Sequence, residues 1–136
     1  MAIESYDPMQ PPDPAEWLTL GEQERINLVL AYHHAIGDRG ENEQLHCLLH
    51  AIVENQVAMG DRFPVQEKIR QLMAQGLDRH HAVHAICIVL ANHMRRLSQR
   101  GAVSGDDDER RYASEVRRTT ARKYMMAVDQ AYSRGA

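Results

Sequence analysis

The chain has few of the residues that mark membrane, disulfide-linked or fibrous proteins. Its 136 residues include only two cysteines, five prolines and eight glycines, and aromatic side chains make up 5%. No apolar run approaches the roughly 20 residues that cross a bilayer. Residues 1–12 carry neither the basic nor the apolar segment of a signal peptide. We therefore expect a cytoplasmic protein that makes no membrane contact.

The cysteines argue against a disulfide-stabilised protein, and the charge argues against a nucleic-acid-binding protein. Cys47 and Cys87 lie in apolar, helix-patterned runs, which is typical of buried reduced thiols rather than of a disulfide framework. The formal net charge is −3, and acidic residues are interspersed among the basic ones. Because no broad basic surface remains, we expect no nucleic-acid partner.

Apolar residues recur at three- and four-residue steps through most of the chain, and no strand alternation appears. This pattern predicts an all-α fold, a compact bundle of five or six helices. Asp13, Pro14 and Glu16 have the form of a capped helix start, and Gly37 and Gly76 have the form of helix ends. The predicted helices are a short turn around Trp17, then about 20–36, 42–59, 64–76 and 78–100, and a last helix from after Gly105 to about 132.

Three segments follow from this pattern. Residues 1–12 are polar and proline-rich, which predicts a flexible lead-in. Residues 13–100 form the helical core. Residues 101–136 contain a last helix with a weak apolar stripe, which predicts a helix that packs outside the core or contacts a protein partner, a second copy included.

Eight histidines are the unusual feature of the composition. In the third helix, His46, His50 and Glu54 follow one another at four-residue steps, with Glu43 one turn before them. At about 100° per residue these side chains share one strip of the helix, away from the apolar stripe. The strip faces solvent or a second helix.

The fifth helix repeats the spacing with His80 and His84, and His81 lies beside them. Two histidines at positions i and i+4 can direct ring nitrogens to one ion. If the two helices pack side by side, His46, His50, His80 and His84 supply four nitrogens, with Glu54 or Glu43 as an alternative oxygen ligand. This set favours zinc, or iron or manganese if the carboxylate joins.

Two other interpretations remain open. Histidines on helix flanks commonly form hydrogen bonds to neighbouring elements, in which case no cofactor is bound. A group of histidines can also act as a proton-linked switch near neutral pH. The H-x-x-x-H spacing alone does not decide between these roles.

Residues 49–56 (LHAIVENQ) and 76–86 (GLDRHHAVHAI) resemble a family of small bacterial all-helical proteins of unknown function with H-x-x-x-H motifs on two helices. The resemblance covers roughly residues 13–97 and leaves the last helix unmatched. In these relatives the second stretch tends to read R-H-E-A-I-H, which contains the H-E-x-x-H of zinc peptidases. The resemblance implies metal-binding potential at His80 and His84, but His81 replaces the glutamate that a peptidase uses as its general base.

The leading hypothesis is a non-enzymatic binding or regulatory module, with a transition metal at the histidines as its candidate ligand. The alternative is a metal-dependent hydrolase or oxidoreductase that uses the same histidines, with Glu54 as acid or base. A third possibility is an interaction module whose last helix binds another protein.

Overall fold

The computed structural model describes residues 3–37, 42–100 and 105–135, with side chains up to residue 129. Residues 1–2, 38–41, 101–104 and 136 of the predicted segments therefore lie outside the described part. Within it the fold is all-α, as predicted, and contains no strand. The helices are α1 (Pro14–Thr19), α2 (Glu22–Ala35), α3 (Glu43–Ala58), α4 (Val65–Ala74), α5 (Arg79–Arg100), α6 (Asp106–Arg117) and α7 (Ala121–Gly135), with a 3₁₀ turn at Gly60–Arg62.

These described ranges hold seven α-helices rather than the five or six predicted, because the last predicted helix is divided. α6 ends at Arg117, and the Thr120 hydroxyl accepts a hydrogen bond from the backbone N–H of Lys123 at 3.1 Å, which starts a new helix. The Gln75 side chain accepts a second bond from the N–H of Ala121 at 2.8 Å. Polar side chains thus satisfy the backbone groups that a break exposes.

The predicted helix start is confirmed for α1, whereas α2 begins at Glu22, two residues after the predicted position near residue 20. The Asp13 carboxylate accepts a hydrogen bond from the N–H of Glu16 at 2.9 Å, and Pro14 occupies the first helical position. At α2 the Glu24 carboxylate accepts from the N–H of Gly21 at 3.3 Å. Local sequence therefore determines both starts.

The chain divides into two compact units, Met1–Gln66 and Glu67–Ala136. The predicted boundary at residue 100 stays a prediction. No helix among the described residues combines the length and apolarity needed to cross a membrane.

The first unit is built on α3, which packs against both α1 and α2. The buried side chains of its core come from all three helices and from the segment before α1: Tyr6, Trp17, Ile26, Val29, Cys47 and Ala51. Trp17 is fully buried, and its indole N–H donates to the side-chain oxygen of Asn55 on α3 at 2.8 Å. Arg25 donates to the same oxygen and to the backbone carbonyl of Trp17, both at 3.0 Å, so α1, α2 and α3 share one polar junction beside the core.

The segment before α1 takes part in this core. Tyr6 is only 6% exposed, and its ring centroid lies 5.9 Å from that of Trp17 and 6.2 Å from that of Tyr32. Pro8 is buried as well. The polar, proline-rich composition of residues 1–12 gave no indication of these contacts, because burial here depends on residues distant in the sequence.

The second unit packs α6 and α7 against α5. The side chains buried in it include Leu72, Ile86, Tyr112, Val116 and Tyr124. Two arginines of α5 also pair with carboxylates of α6, Arg96 with Glu115 and Arg100 with Asp108, each at 2.5 Å. The predicted partner contact of the C-terminal region stays a prediction.

Lys68 links α4 to the end of α6. Its ammonium group is buried and donates to the backbone carbonyls of Arg117 at 2.7 Å and Thr119 at 3.1 Å. A cation at a helix C-terminus is stabilised by the helix dipole and satisfies carbonyls that have no partner within the helix. This contact joins residues about 50 positions apart and helps explain why the sequence pattern did not reveal the end of α6.

We expect the stability of the second unit to depend on pH because of the environment of His93. Burial lowers its pKa, and the charge of Arg96 lowers it further, against the opposing effect of Glu115 and Asp108. In mild acid the unfolded chain therefore binds a proton that the folded chain does not. Stability should decrease as the pH falls through about 6.5, the ordinary value for histidine, towards the lower pKa of the folded state.

This expectation is tested by urea unfolding between pH 8 and 5, in the presence of EDTA, with His93→Gln beside the wild type. The two proteins differ only at residue 93, so the difference between the two profiles isolates the contribution of His93. We expect the variant to lose less stability on acidification. Profiles of equal slope would show that His93 does not contribute.

Candidate metal centre

Three histidines of the first unit lie close together. We call His33 on α2 and His46 and His50 on α3 the first-unit histidine group. Their ring centroids are separated by 4.8 Å for His33 and His46, 5.4 Å for His33 and His50, and 5.2 Å for His46 and His50. His33 and His50 are buried, at 2% and 0% exposure, and His46 is half-buried.

The local sequence explains why these residues meet. His46 and His50 are one turn apart on α3, and His33 lies in the last turn of α2. Since α2 and α3 pack together and only seven residues separate them, the end of one lies near the start of the other. The same junction brings His34 within 2.7 Å of Glu43 at the surface.

The tautomer of His33 follows from its hydrogen bond. Its Nδ1 lies 2.9 Å from the backbone carbonyl oxygen of Val29. A carbonyl oxygen only accepts, so Nδ1 carries the proton and Nε2 presents a lone pair. Metal-binding histidines characteristically donate their second ring N–H to a carbonyl or carboxylate in this way.

The lone pair of His33 points to a second imidazole. Its Nε2 is 3.1 Å from Nε2 of His46. Without an ion, His46 must donate a proton across this distance. Two nitrogens bound tetrahedrally to one zinc at about 2.0–2.1 Å are about 3.3 Å apart, so the two rings need little movement to share an ion.

His50 is oriented by a relay of two buried side chains. The Tyr6 hydroxyl donates to Glu54 Oε2 at 2.5 Å, and the same hydroxyl lies 3.3 Å from Nδ1 of His50. A hydroxyl has one hydrogen, so once it is given to Glu54, Nδ1 of His50 must be the donor to Tyr6. His50 then has the same tautomer as His33, with Nε2 as the position for a ligand bond.

Glu54 therefore acts on the group through Tyr6. It is 1% exposed, and the contact described for its carboxylate is the Tyr6 hydroxyl. The sequence predicted Glu54 as an oxygen ligand. That role stays a prediction, and the described hydrogen bond lets Glu54 orient Tyr6 and, through Tyr6, the His50 ring.

The second unit contributes the other predicted pair. His80 and His84 occupy consecutive turns of α5, and their ring centroids are 4.4 Å apart. His80 lies in the first turn of the helix, where the dipole disfavours a protonated ring and so favours the neutral form that binds metals. The predicted meeting of this pair with His46 and His50 stays a prediction.

His81 faces different partners from those of its neighbours. Its Nδ1 lies 3.0 Å from the Tyr124 hydroxyl, and its backbone N–H donates to the Asp78 carboxylate at 2.8 Å. Asp78 thus caps α5, as predicted. The position at which a zinc peptidase carries a glutamate is occupied here by a histidine bonded to α7.

Sequence reasoning missed His33 and Tyr6. His33 follows the apolar stripe of α2, which predicts burial but not an imidazole partner; its position just before a short connection to His46 was the available signal. Tyr6 lies in the lead-in and had no periodic signal.

Comparison with protein-family models, curated proteins and solved structures found no match. The chemistry of the site is therefore the basis for a functional proposal.

Proposed function

We propose that this protein is a non-enzymatic module that binds a transition-metal ion through histidines, with zinc as the preferred ion. The 3.1 Å approach of two ring nitrogens, with a third imidazole beside them, is the observation that carries the proposal. His33 and His50 already donate their Nδ1 protons elsewhere, so their Nε2 atoms are in the form that a metal requires. Neutral imidazoles suit zinc, and iron or manganese would need an added carboxylate.

The proposal gives His80 and His84 the role of ligands as well, as their spacing predicts. Each of the two carries a ring nitrogen, at the i and i+4 spacing that can direct both nitrogens to one ion. A site whose positions are all filled by histidines would be closed, which is the arrangement of structural and regulatory zinc sites rather than of catalytic ones.

Two features favour a binding role over catalysis. The Glu54 carboxylate, next to His50, accepts a hydrogen bond from the Tyr6 hydroxyl and is almost fully buried. His81 stands where a peptidase general base would lie, and an imidazole hydrogen-bonded to Tyr124 does not replace it.

Elemental analysis of the purified full-length protein, with cobalt substitution, tests the proposal. We expect about one zinc ion per chain, and a cobalt form with the intense visible absorption of a four-coordinate site. His80→Gln/His84→Gln should weaken zinc binding, whereas His81→Gln, the control on the same helix, should retain it. Substoichiometric zinc that does not change in the double variant would contradict a role for this pair.

A further inference from the structure

A second candidate site lies within the second unit, and none of the proposed metal ligands lines it. A cavity of about 290 Å³ is lined by α5, α6 and α7, a size near the lower end for small-molecule sites. Its apolar lining comes from Ala85, Ile88, Val89 and Ala127. Ile88 is 42% exposed although it lies in the most apolar stretch of α5, so this helix presents apolar surface that the described residues leave uncovered.

Two cations line the same cavity. Arg118 and Lys123 make their described hydrogen bonds to backbone carbonyl oxygens, at 3.4 and 3.1 Å, and neither pairs with a carboxylate in the described part of the chain. The carboxylate in the lining, Glu115, is bonded to Arg96 at 2.5 Å and to Arg111 at 3.2 Å. The acid is thus neutralised, and the two cations leave the cavity with a positive potential.

The pKa of the neighbouring Lys68 is affected by the same positive potential. Burial lowers its pKa, and the Lys123 ammonium lowers it further. An anion bound near Lys123 would relieve this repulsion. Apolar walls together with uncompensated positive charge favour a ligand with an apolar chain and one negative group.

We propose that this cavity binds a small amphipathic carboxylate, with its chain against Ile88, Val89 and Ala127 and its carboxylate near Arg118 and Lys123. Desolvation of the chain supplies affinity, and the two cations select the charge of the head group. This binding does not depend on metal at the histidines.

Titration of octanoate into EDTA-treated full-length protein, followed by calorimetry and by amide chemical shifts, tests this site. We expect saturable binding with shifts centred on α5, α6 and α7, and no comparable binding of octylammonium, which has the same chain and the opposite charge. Absence of saturable octanoate binding, or equal binding of both compounds, would overturn the proposal.

Variants then locate the ligand. Arg118→Gln/Lys123→Gln should weaken octanoate binding about tenfold. The control Arg117→Gln/Arg122→Gln removes the same charge from exposed neighbours outside the cavity and should have little effect. Ala127→Leu, at an exposed helical position, should reduce binding by filling the cavity without loss of stability. If neither Ala127→Leu nor the first pair weakens binding, the cavity is not the site.

Discussion

Replacing His33 or His46 by glutamine should lower zinc affinity about a hundredfold or more. A structural zinc site contributes about 10–16 kcal/mol over its ligands, so the loss of one imidazole removes several kcal/mol, and each 1.4 kcal/mol is a factor of ten. Competition with a chromophoric chelator measures the affinity directly. His34→Gln is the matched control, because His34 adjoins His33 but is exposed and paired with Glu43.

Stability measurements separate loss of the metal site from loss of the fold. Glutamine retains polarity at the buried position of His33, and unfolding in EDTA reports any structural cost of the change. In excess zinc the wild type should gain stability by mass action, about 2.7 kcal/mol at a hundred times the dissociation constant, and the variants should gain much less. Wild-type zinc affinity in both His33→Gln and His46→Gln would show that the first-unit histidine group is not the site.

Replacing Trp17 by alanine should destabilise the protein by about 3–5 kcal/mol. The indole is fully buried in the first-unit core, and its removal leaves a cavity and takes away the N–H bonded to Asn55. Trp17→Phe keeps most of the packing but not the N–H, so it should cost about 1–2 kcal/mol, a clearly smaller loss. Because Trp17 is the only tryptophan, urea unfolding is best followed by far-ultraviolet circular dichroism.

Leu18→Ala provides the control for this change. Leu18 adjoins Trp17 on α1 but is 38% exposed, so its truncation should cost about 0.5 kcal/mol. If Trp17→Ala were no more costly than Leu18→Ala, the packing of α1 against α3 would contribute little to stability.

The sequence predicted the features that depend on contacts between residues close together in the chain. Asp13 and Asp78 cap α1 and α5 through bonds that span three residues, and such bonds can be read from adjacent letters. The division between α6 and α7 could not be read in this way, since Lys68 and Gln75 act there from about 46 to 51 positions away. Tertiary contacts override a continuous helical pattern at this point.

The candidate site shows the same limit. The spacing of His46 and His50 predicted that they share a helix face, and the structure confirms it. It did not predict that His33 would complete their group, because an inward-facing histidine on an apolar stripe has the same pattern as a core residue. Nor did it predict the Tyr6 relay, which depends on the path of a segment without regular structure.

The hydrogen bonds that join Tyr6 to Glu54 and His50 would couple the position of the segment before α1 to binding of the proposed metal ion. If the buried position of Tyr6 orients the His50 ring for metal binding, then metal binding must stabilise that position of Tyr6 by the same free energy. Protease protection of the residues around Tyr6 would then rise with ion occupancy. The protease sensitivity of the segment before α1 would therefore report whether the metal site is occupied.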